Sequence, residues 1–261
     1  PGVEERLEDI DTLNLMALQE KADVIKVSMN AFAHLRESYA LLHSGGAMGR
    51  GCGPLVVGQK DGRLRPAPSL QRVAVLADEL ARVRVAIPGE LTTAALLVGL
   101  FTGGLRQAMV MPFDHIMPSV AAGHVDAGVI IHEGRFTFGS HGLRRLVDLG
   151  EWWEETSRLP IPLGGIAVSR SLERSVQAEV ERAVRSSVEH ALTHPEDAMD
   201  YVQRHAQEID PRVCKAHIDL YVNDFTLDYG EEGREAIEQL LESAACFGVI
   251  PASNEGLFWD D

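Results

Sequence analysis

Val125-Asp-Ala-Gly-Val-Ile-Ile-His-Glu-Gly-Arg-Phe-Thr-Phe138 is the stretch whose reading decides the fold. Val129, Ile130 and Ile131 are β-branched and bounded by Gly128 and Gly134. A short apolar run of that kind fits a strand covered on both faces better than a helix. The run ends on His132, followed by Glu133 and Arg135. In open α/β sheets ligands bind outside the carboxyl ends of the strands, so an imidazole directly after the last apolar residue lies where chemistry is expected. Position alone also fits a hydrogen-bonded structural histidine. If the strand continues, Glu133 points to the face opposite His132 and is an acid either behind the site or at the surface.

Working upstream, Val83-Arg-Val-Ala-Ile87 reads as a strand, Pro88-Gly89 as a turn, and Thr92, Thr93 and Ala94 as the start of a helix that ends at Gly103-Gly104. A helix N-terminus after a strand offers unpaired amides and the positive end of the macrodipole, which suits a carboxylate or phosphate. Ordinary threonine capping explains the same residues. Val24-Ile-Lys-Val-Ser28 is an earlier strand, in which Lys26 and Ser28 share a face that can meet a crevice. An edge-strand lysine kept for solubility is the other reading. A helix is expected from about Asn30 to Leu42. The glycine-rich Ser44 to Pro54 lacks Gly-Lys-Ser/Thr and leads into the strand-like Leu55-Val-Val57, so it is not a phosphate loop but a turn or crossover, with lining of the cleft the other reading.

Downstream, Ala108 to Met111 and Leu146 to Leu149 read as strands, with a helix from Ile116 to Gly123 between them. Trp152 and Trp153 suit a core better than a ligand stack. From Ser171 the chain turns helical to about Phe247, with Leu172, Val176, Val180, Val184 and Val188 recurring every fourth residue on one face. Strands alternating with helices to about 168, then helices only, define an α/β protein. Crossovers near 58–80 and 158–166 would make two lobes around a cleft: residues 1–78 with 165–261, and residues 79–164.

Composition narrows the partners. The chain carries 39 acidic against 24 basic residues, a formal charge of -15, which argues against nucleic acid or an anionic membrane surface. An anionic ligand would need local groups to overcome that field. Cys52, Cys214 and Cys246 are too few and too far apart for a disulfide framework or a zinc site, so a reducing, cytoplasmic address is expected. His115, His124 and Asp126 give no His-x-x-x-His face, and no metal is expected. No apolar run is long enough for a membrane span. Oligomeric state is left open.

Five segments carry a resemblance: Leu-Glu-Asp-Ile-Asp-Thr-Leu-Asn (7–14), Ser-Gly-Gly-Ala-Met-Gly-Arg-Gly-Cys-Gly-Pro-Leu-Val-Val (44–57), Ile-Pro-Gly-Glu-Leu-Thr-Thr-Ala (87–94), Ala-Gly-Val-Ile-Ile-His-Glu-Gly-Arg-Phe-Thr (127–137) and Val-Asp-Leu-Gly-Glu-Trp-Trp-Glu (147–154). Together they closely resemble the 1,4-dihydroxy-6-naphthoate synthase family of the futalosine route to menaquinone, over nearly the whole chain. The resemblance implies a two-lobed fold like that of type II periplasmic binding proteins. It implies a carbon-carbon lyase acting on cyclic dehypoxanthine futalosine, a small anionic substrate, to give 1,4-dihydroxy-6-naphthoate and dihydroxyacetone with no metal or redox cofactor. Carried over residue by residue, it implies His132 as general base and Lys26, Val27, Ser28, Thr93 and Ala94 as substrate-binding positions. It also implies a further strand and a Ser-Pro-containing loop ahead of Pro1. The related chorismate dehydratase shares the two-lobed plan, but His-Glu-Gly-Arg-Phe and Thr-Thr-Ala favour the synthase. A non-catalytic solute-binding protein would need the cleft without the base.

Overall fold

The computed structural model describes residues 2–205 and 210–261. Helix α1 (Ile10–Leu18) is capped by Asp9, whose carboxylate accepts from the amides of Asp11 and Thr12 at 3.0 and 3.1 Å. It leads into strand β1 (Val24–Ser28), the short helix α2 (Met29–Ala33) and strands β2 (Tyr39–Leu41) and β3 (Ala47–Gly49). The chain then crosses to a second sheet. Its strands are β4 (Leu55–Gln59), β5 (Val85–Ile87), β6 (Ala108–Val110), β7 (Ala127–Ile130) and β8 (Leu143–Asp148), in the order β6-β5-β7-β4-β8. Between them run helices α3 (Leu70–Leu80), α4 (Thr93–Thr102), α5 (Phe113–Ala121) and α6 (Gly134–Thr137), and α7 (Leu149–Ser157) follows β8. Strand β9 (Ile161–Ser169) returns to the first sheet and pairs antiparallel with β1, β2 and β3, setting Lys26 opposite Ile166 and Ser28 opposite Gly164. Helices α8 (Arg174–Thr193), α9 (Pro195–His205), α10 (Pro211–Tyr221), α11 (Asp224–Leu227) and α12 (Gly230–Cys246) follow, and the C-terminal segment returns buried Phe258 to a bridge with Leu41.

Strand β5 is parallel to β6 and β7, whereas β4 is antiparallel to β7 and β8. The larger hydrophobic cluster runs from Val27 and Phe32 through Leu96 and Leu97 of α4 to Val56 and Val129, so the two sheets share one core through the crossing region. A smaller cluster of Ile116, Val120, Leu55 and Leu143 seals α5 against the second sheet. Of the two tryptophans, Trp153 is buried with its indole N–H on the Pro160 carbonyl at 3.2 Å, and Trp152 meets Phe101 edge-on.

Several expectations are corrected. The helix expected over 30–42 stops at Ala33, because Tyr39, Ala40 and Leu41 are buried and claimed as a strand by β9. The glycine-rich segment is not wholly turn, since Ala47–Gly49 also pairs with β9. The first change of sheet falls between Gly49 and Leu55, not near 78: β4 lies within the expected first lobe segment yet hydrogen-bonds to β7 and β8. The return falls between Asp148 and Ile161, a few residues before 165. Residues 134–137 are helix and not a continued strand. On α8 the valine face is only half-buried, and the buried side chains are Gln177 and Glu181. The helical run expected to 247 passes through 206–209, outside the described residues.

The first crossing is possible because two backbones touch. A Cβ at Gly53 would lie 2.4 Å from both Cα and N of Gly150. Gly53→Ala should therefore lower stability by about 1–3 kcal/mol, the range for forced overpacking, measured by denaturant unfolding. Gly139→Ala, where an added Cβ meets nothing within 4 Å, should leave the midpoint nearly unchanged.

Candidate active site

The floor of the cleft is built by α4. Thr92 caps the helix by accepting from the Ala95 amide at 3.2 Å and donates to the Gly89 carbonyl at 2.8 Å. The Thr93 hydroxyl accepts from the Met29 amide at 2.9 Å and donates to the Leu163 carbonyl, so one oxygen ties the end of β1, the start of α4 and β9. Asn30 adds donations to the Glu90 and Thr92 carbonyls at 2.9 and 3.3 Å. Buried Asn14 accepts from the Ser28 amide at 2.9 Å and donates to the Ser28 hydroxyl at 3.1 Å. As the first two helical positions, Thr93 and Ala94 have amides with no intrahelical acceptor, and both residues line the cavity.

His132 is delivered by a turn. Strand β7 ends at Ile130, and His132 has φ 54°, a left-handed backbone. That conformation costs a non-glycine residue on the order of 1–3 kcal/mol and persists only where the surroundings fix it. Here the fixing group is Arg135 of α6. Its amide donates to the His132 carbonyl at 3.3 Å, while its guanidinium donates to the Gly53 carbonyl at 2.7 Å and to Asp148. Asp148 is buried and accepts from the Gly150 and Glu151 amides at 2.9 and 3.1 Å, capping α7. The turn also overturns the alternation argument for Glu133: it is half-buried and lines the same outer chamber as His132.

Two adjoining chambers meet at the imidazole. The inner one, about 350 Å³, is lined by Ser28, Thr93, Ala94, Leu163 and Tyr221; the outer one, about 570 Å³, by Asp9, Phe113 and Glu133. Lys26, His132 and His217 of α10 wall both. The His132 ring meets Phe113 at 5.4 Å and His217 at 6.1 Å, both edge-on. Burial pushes the His132 pKa down to about 4, helped by the charge of Lys26 and then by His217, with Asp9 opposing. Burial, then Lys26, lowers His217 as well. Lys26 is desolvated by the protein around it, which pulls its ammonium below the usual lysine range, although the side chain still reaches solvent through the open cleft. Among the described residues no side chain hydrogen-bonds or ion-pairs with Lys26. Cys52, in the inner wall, is pushed up to about 12 by burial and then by Glu154, leaving a neutral thiol.

Of the residues singled out from sequence, Lys26, Ser28, Thr93, Ala94 and His132 line one cavity. Val27 does not: its side chain is fully buried in the core, and only its backbone runs beside the site. His217 and Tyr221 were missed. They sit four apart on α10 with rings 4.6 Å apart, a spacing that marks one helix face but does not say what the face meets.

A family model described as menaquinone biosynthesis matches residues 1–246. The chain is 44% identical over 252 residues to a 1,4-dihydroxy-6-naphthoate synthase of Thermus thermophilus, covering 97% of this chain and 87% of the relative. It is 45% identical over 258 residues to one of Streptomyces coelicolor, covering 97% and 86%. A crystal structure from Archaeoglobus fulgidus superposes with a TM-score of 0.83 at 36% identity, covering 95% of this chain and 87% of that one. The alkanesulfonate-binding protein SsuA from Xanthomonas axonopodis pv. citri, bound to MOPS, superposes at 0.63 with 12% identity over 92% and 80%. That last likeness shows a shared periplasmic-binding-protein fold. No helix among the described residues is long and apolar enough to cross a membrane.

The electrostatics can be read directly by NMR. His132 should titrate near pH 4, and Lys26→Met should raise that midpoint; an unmoved midpoint would mean the ammonium does not reach the ring. Because the folded value lies below the ordinary 6.5, the unfolded chain binds more protons between the two. His132 therefore reduces stability as pH falls from about 6.5 towards 4.

Proposed function

Since the chain belongs to the menaquinone-biosynthesis family that includes the 1,4-dihydroxy-6-naphthoate synthases, we propose that it is a carbon-carbon lyase converting cyclic dehypoxanthine futalosine to 1,4-dihydroxy-6-naphthoate and dihydroxyacetone. One observation carries this reading: an unpartnered ammonium, two orphan helix amides and an imidazole converge on a single cavity.

The chemistry follows from what each group can do. In a protein of charge -15, a carboxylate needs local donors, and Lys26 with the amides of Thr93 and Ala94 supplies them. Ile131, Leu163, Ile218 and Tyr221 give the inner chamber apolar walls suited to a flat fused ring. His132 is neutral at pH 7 and takes the proton from a substrate hydroxyl. The oxygen becomes a carbonyl, the adjacent carbon-carbon bond breaks, and its electron pair enters the conjugated ring system. The ring fragment becomes aromatic when the enolate oxygen takes up a proton, which drives a step that needs no net oxidant or reductant.

A pKa near 4 makes free His132 a weak base. The substrate anion corrects this, because a negative charge beside Lys26 offsets the field that holds the imidazole down. Binding thus prepares the base for proton transfer at neutral pH. Cys52 is unsuited to nucleophilic attack, since its thiolate is strongly disfavoured. The biosynthetic substrate supports a cytoplasmic address.

His132→Ala should keep the unfolding midpoint and most of the substrate affinity but lower kcat by at least ~10²-fold, the lower range for a general base. Turnover near that of the parent would remove the role. The amide donors are tested by comparing Thr93→Pro with Thr93→Val, both of which lose the bridging hydroxyl while only the first loses the N–H. The proline variant should bind 1,4-dihydroxy-6-naphthoate about tenfold more weakly, the worth of one charge-assisted hydrogen bond. Equal dissociation constants by calorimetry would eliminate the anion site.

A further inference from the structure

The chemistry proposed above needs two proton-bearing groups, one to take the hydroxyl proton and one to meet the oxygen that gains negative charge. We propose that His217 is the second group: it donates a hydrogen bond to the developing enolate oxygen while His132 acts as base. This rests on the lyase reading and goes beyond it in assigning a catalytic residue from the helical C-terminal part of the chain.

Geometry carries the assignment. His217 walls both chambers, as His132 and Lys26 do. Its ring centroid is 6.1 Å from that of His132 with the planes at 80°, so the two imidazoles flank a shared volume and do not stack. Among the described residues neither ring nitrogen of His217 has a hydrogen-bond partner. Polar groups gathered at a cavity without protein partners are set for a ligand. The ring packs at 4.6 Å and 74° against Tyr221 on the same helix, which fixes its tilt. Asp210, accepting from the Arg212 amide at 2.9 Å, caps the helix that carries it.

The charges nearby support a donor and not a second base. Burial disfavours the imidazolium of His217 and the charge of Lys26 disfavours it further, so the ring stays neutral at pH 7. A neutral imidazole still donates one N–H, and a donor already in place where charge develops needs no reorganisation during the step. The sequence of events balances. The hydroxyl proton passes to His132, the broken bond's electron pair ends on the enolate oxygen held by His217, and the imidazolium of His132 returns its proton to that oxygen. His217 begins and ends neutral.

The test uses the full-length protein with cyclic dehypoxanthine futalosine. His217→Phe keeps the ring packing and removes both nitrogens, and it should lower kcat by about 10²-fold, the loss typical of one oxyanion donor. KM and the calorimetric affinity for 1,4-dihydroxy-6-naphthoate should move less than about threefold. His217→Gln, which restores an N–H donor, should recover at least about tenfold of the lost kcat. If the phenylalanine variant does not keep the parent's unfolding midpoint, His217→Leu replaces it in the same comparison. The inference is overturned if kcat of the apolar variant stays within about threefold of the parent, or if the glutamine variant is no better than the apolar one. A parent protein that releases no naphthoate defeats the lyase reading itself, whereas an active parent with an equally active apolar variant defeats only the role of His217.

Discussion

The arrangement depends on the Thr93 hydroxyl, which accepts from the Met29 amide and donates to the Leu163 carbonyl. A single oxygen holds together the carboxyl end of β1, the N-terminus of α4 and the returning strand β9. Each of these segments brings one part of the site: Lys26 and Ser28 from β1, orphan amides from α4, and the apolar wall at Leu163 from β9. Because one hydroxyl both donates and accepts, neither valine nor alanine would make these two bonds. The neighbouring donations of Asn30 and the pairing of Asn14 with Ser28 stiffen the same junction. The floor is therefore rigid, as a site that discriminates by geometry requires.

Against that floor, the second half of the site is held under strain. His132 adopts a left-handed backbone fixed by half-buried Arg135, which pairs with buried Asp148 and also reaches the Gly53 carbonyl. The pair connects the base to the crossing where Gly53 and Gly150 touch, so the packing that lets the chain change sheets also aims the imidazole. The same elements therefore serve the fold and the chemistry. Burial, helped by the Lys26 ammonium, then sets the electrostatics, holding both imidazoles below the ordinary histidine range.

Much of this was legible in the residues. The β-branched run before His132 marked a strand end, and the Pro-Gly turn before Thr92 and Thr93 marked a helix start, because both signals are local. What failed was non-local. Tyr39 to Leu41 looked helical from their neighbours, yet Ala40 pairs with Val168, and no periodicity near residue 40 could announce a partner so distant. Leu55-Val-Val57 was plainly a strand, but its sheet was decided by β7 and β8, which moved the first crossing upstream. His132 and Glu133 were separated by alternation that the turn after Ile130 abolishes. Val27 was carried along with its neighbours although its side chain belongs to the core. His217 gave no sign of its place, since a histidine four residues before a tyrosine on a helix acquires meaning only when the other lobe is folded beside it.

The central claim is that this cleft converts its ligand and does not merely hold it. The most direct measurement incubates the purified protein with cyclic dehypoxanthine futalosine and quantifies both fragments, the naphthoate by absorbance and dihydroxyacetone by an independent chemical assay. The account predicts catalytic, equimolar release of the two over many turnovers. Saturable binding of the compound, with neither fragment released, would contradict it.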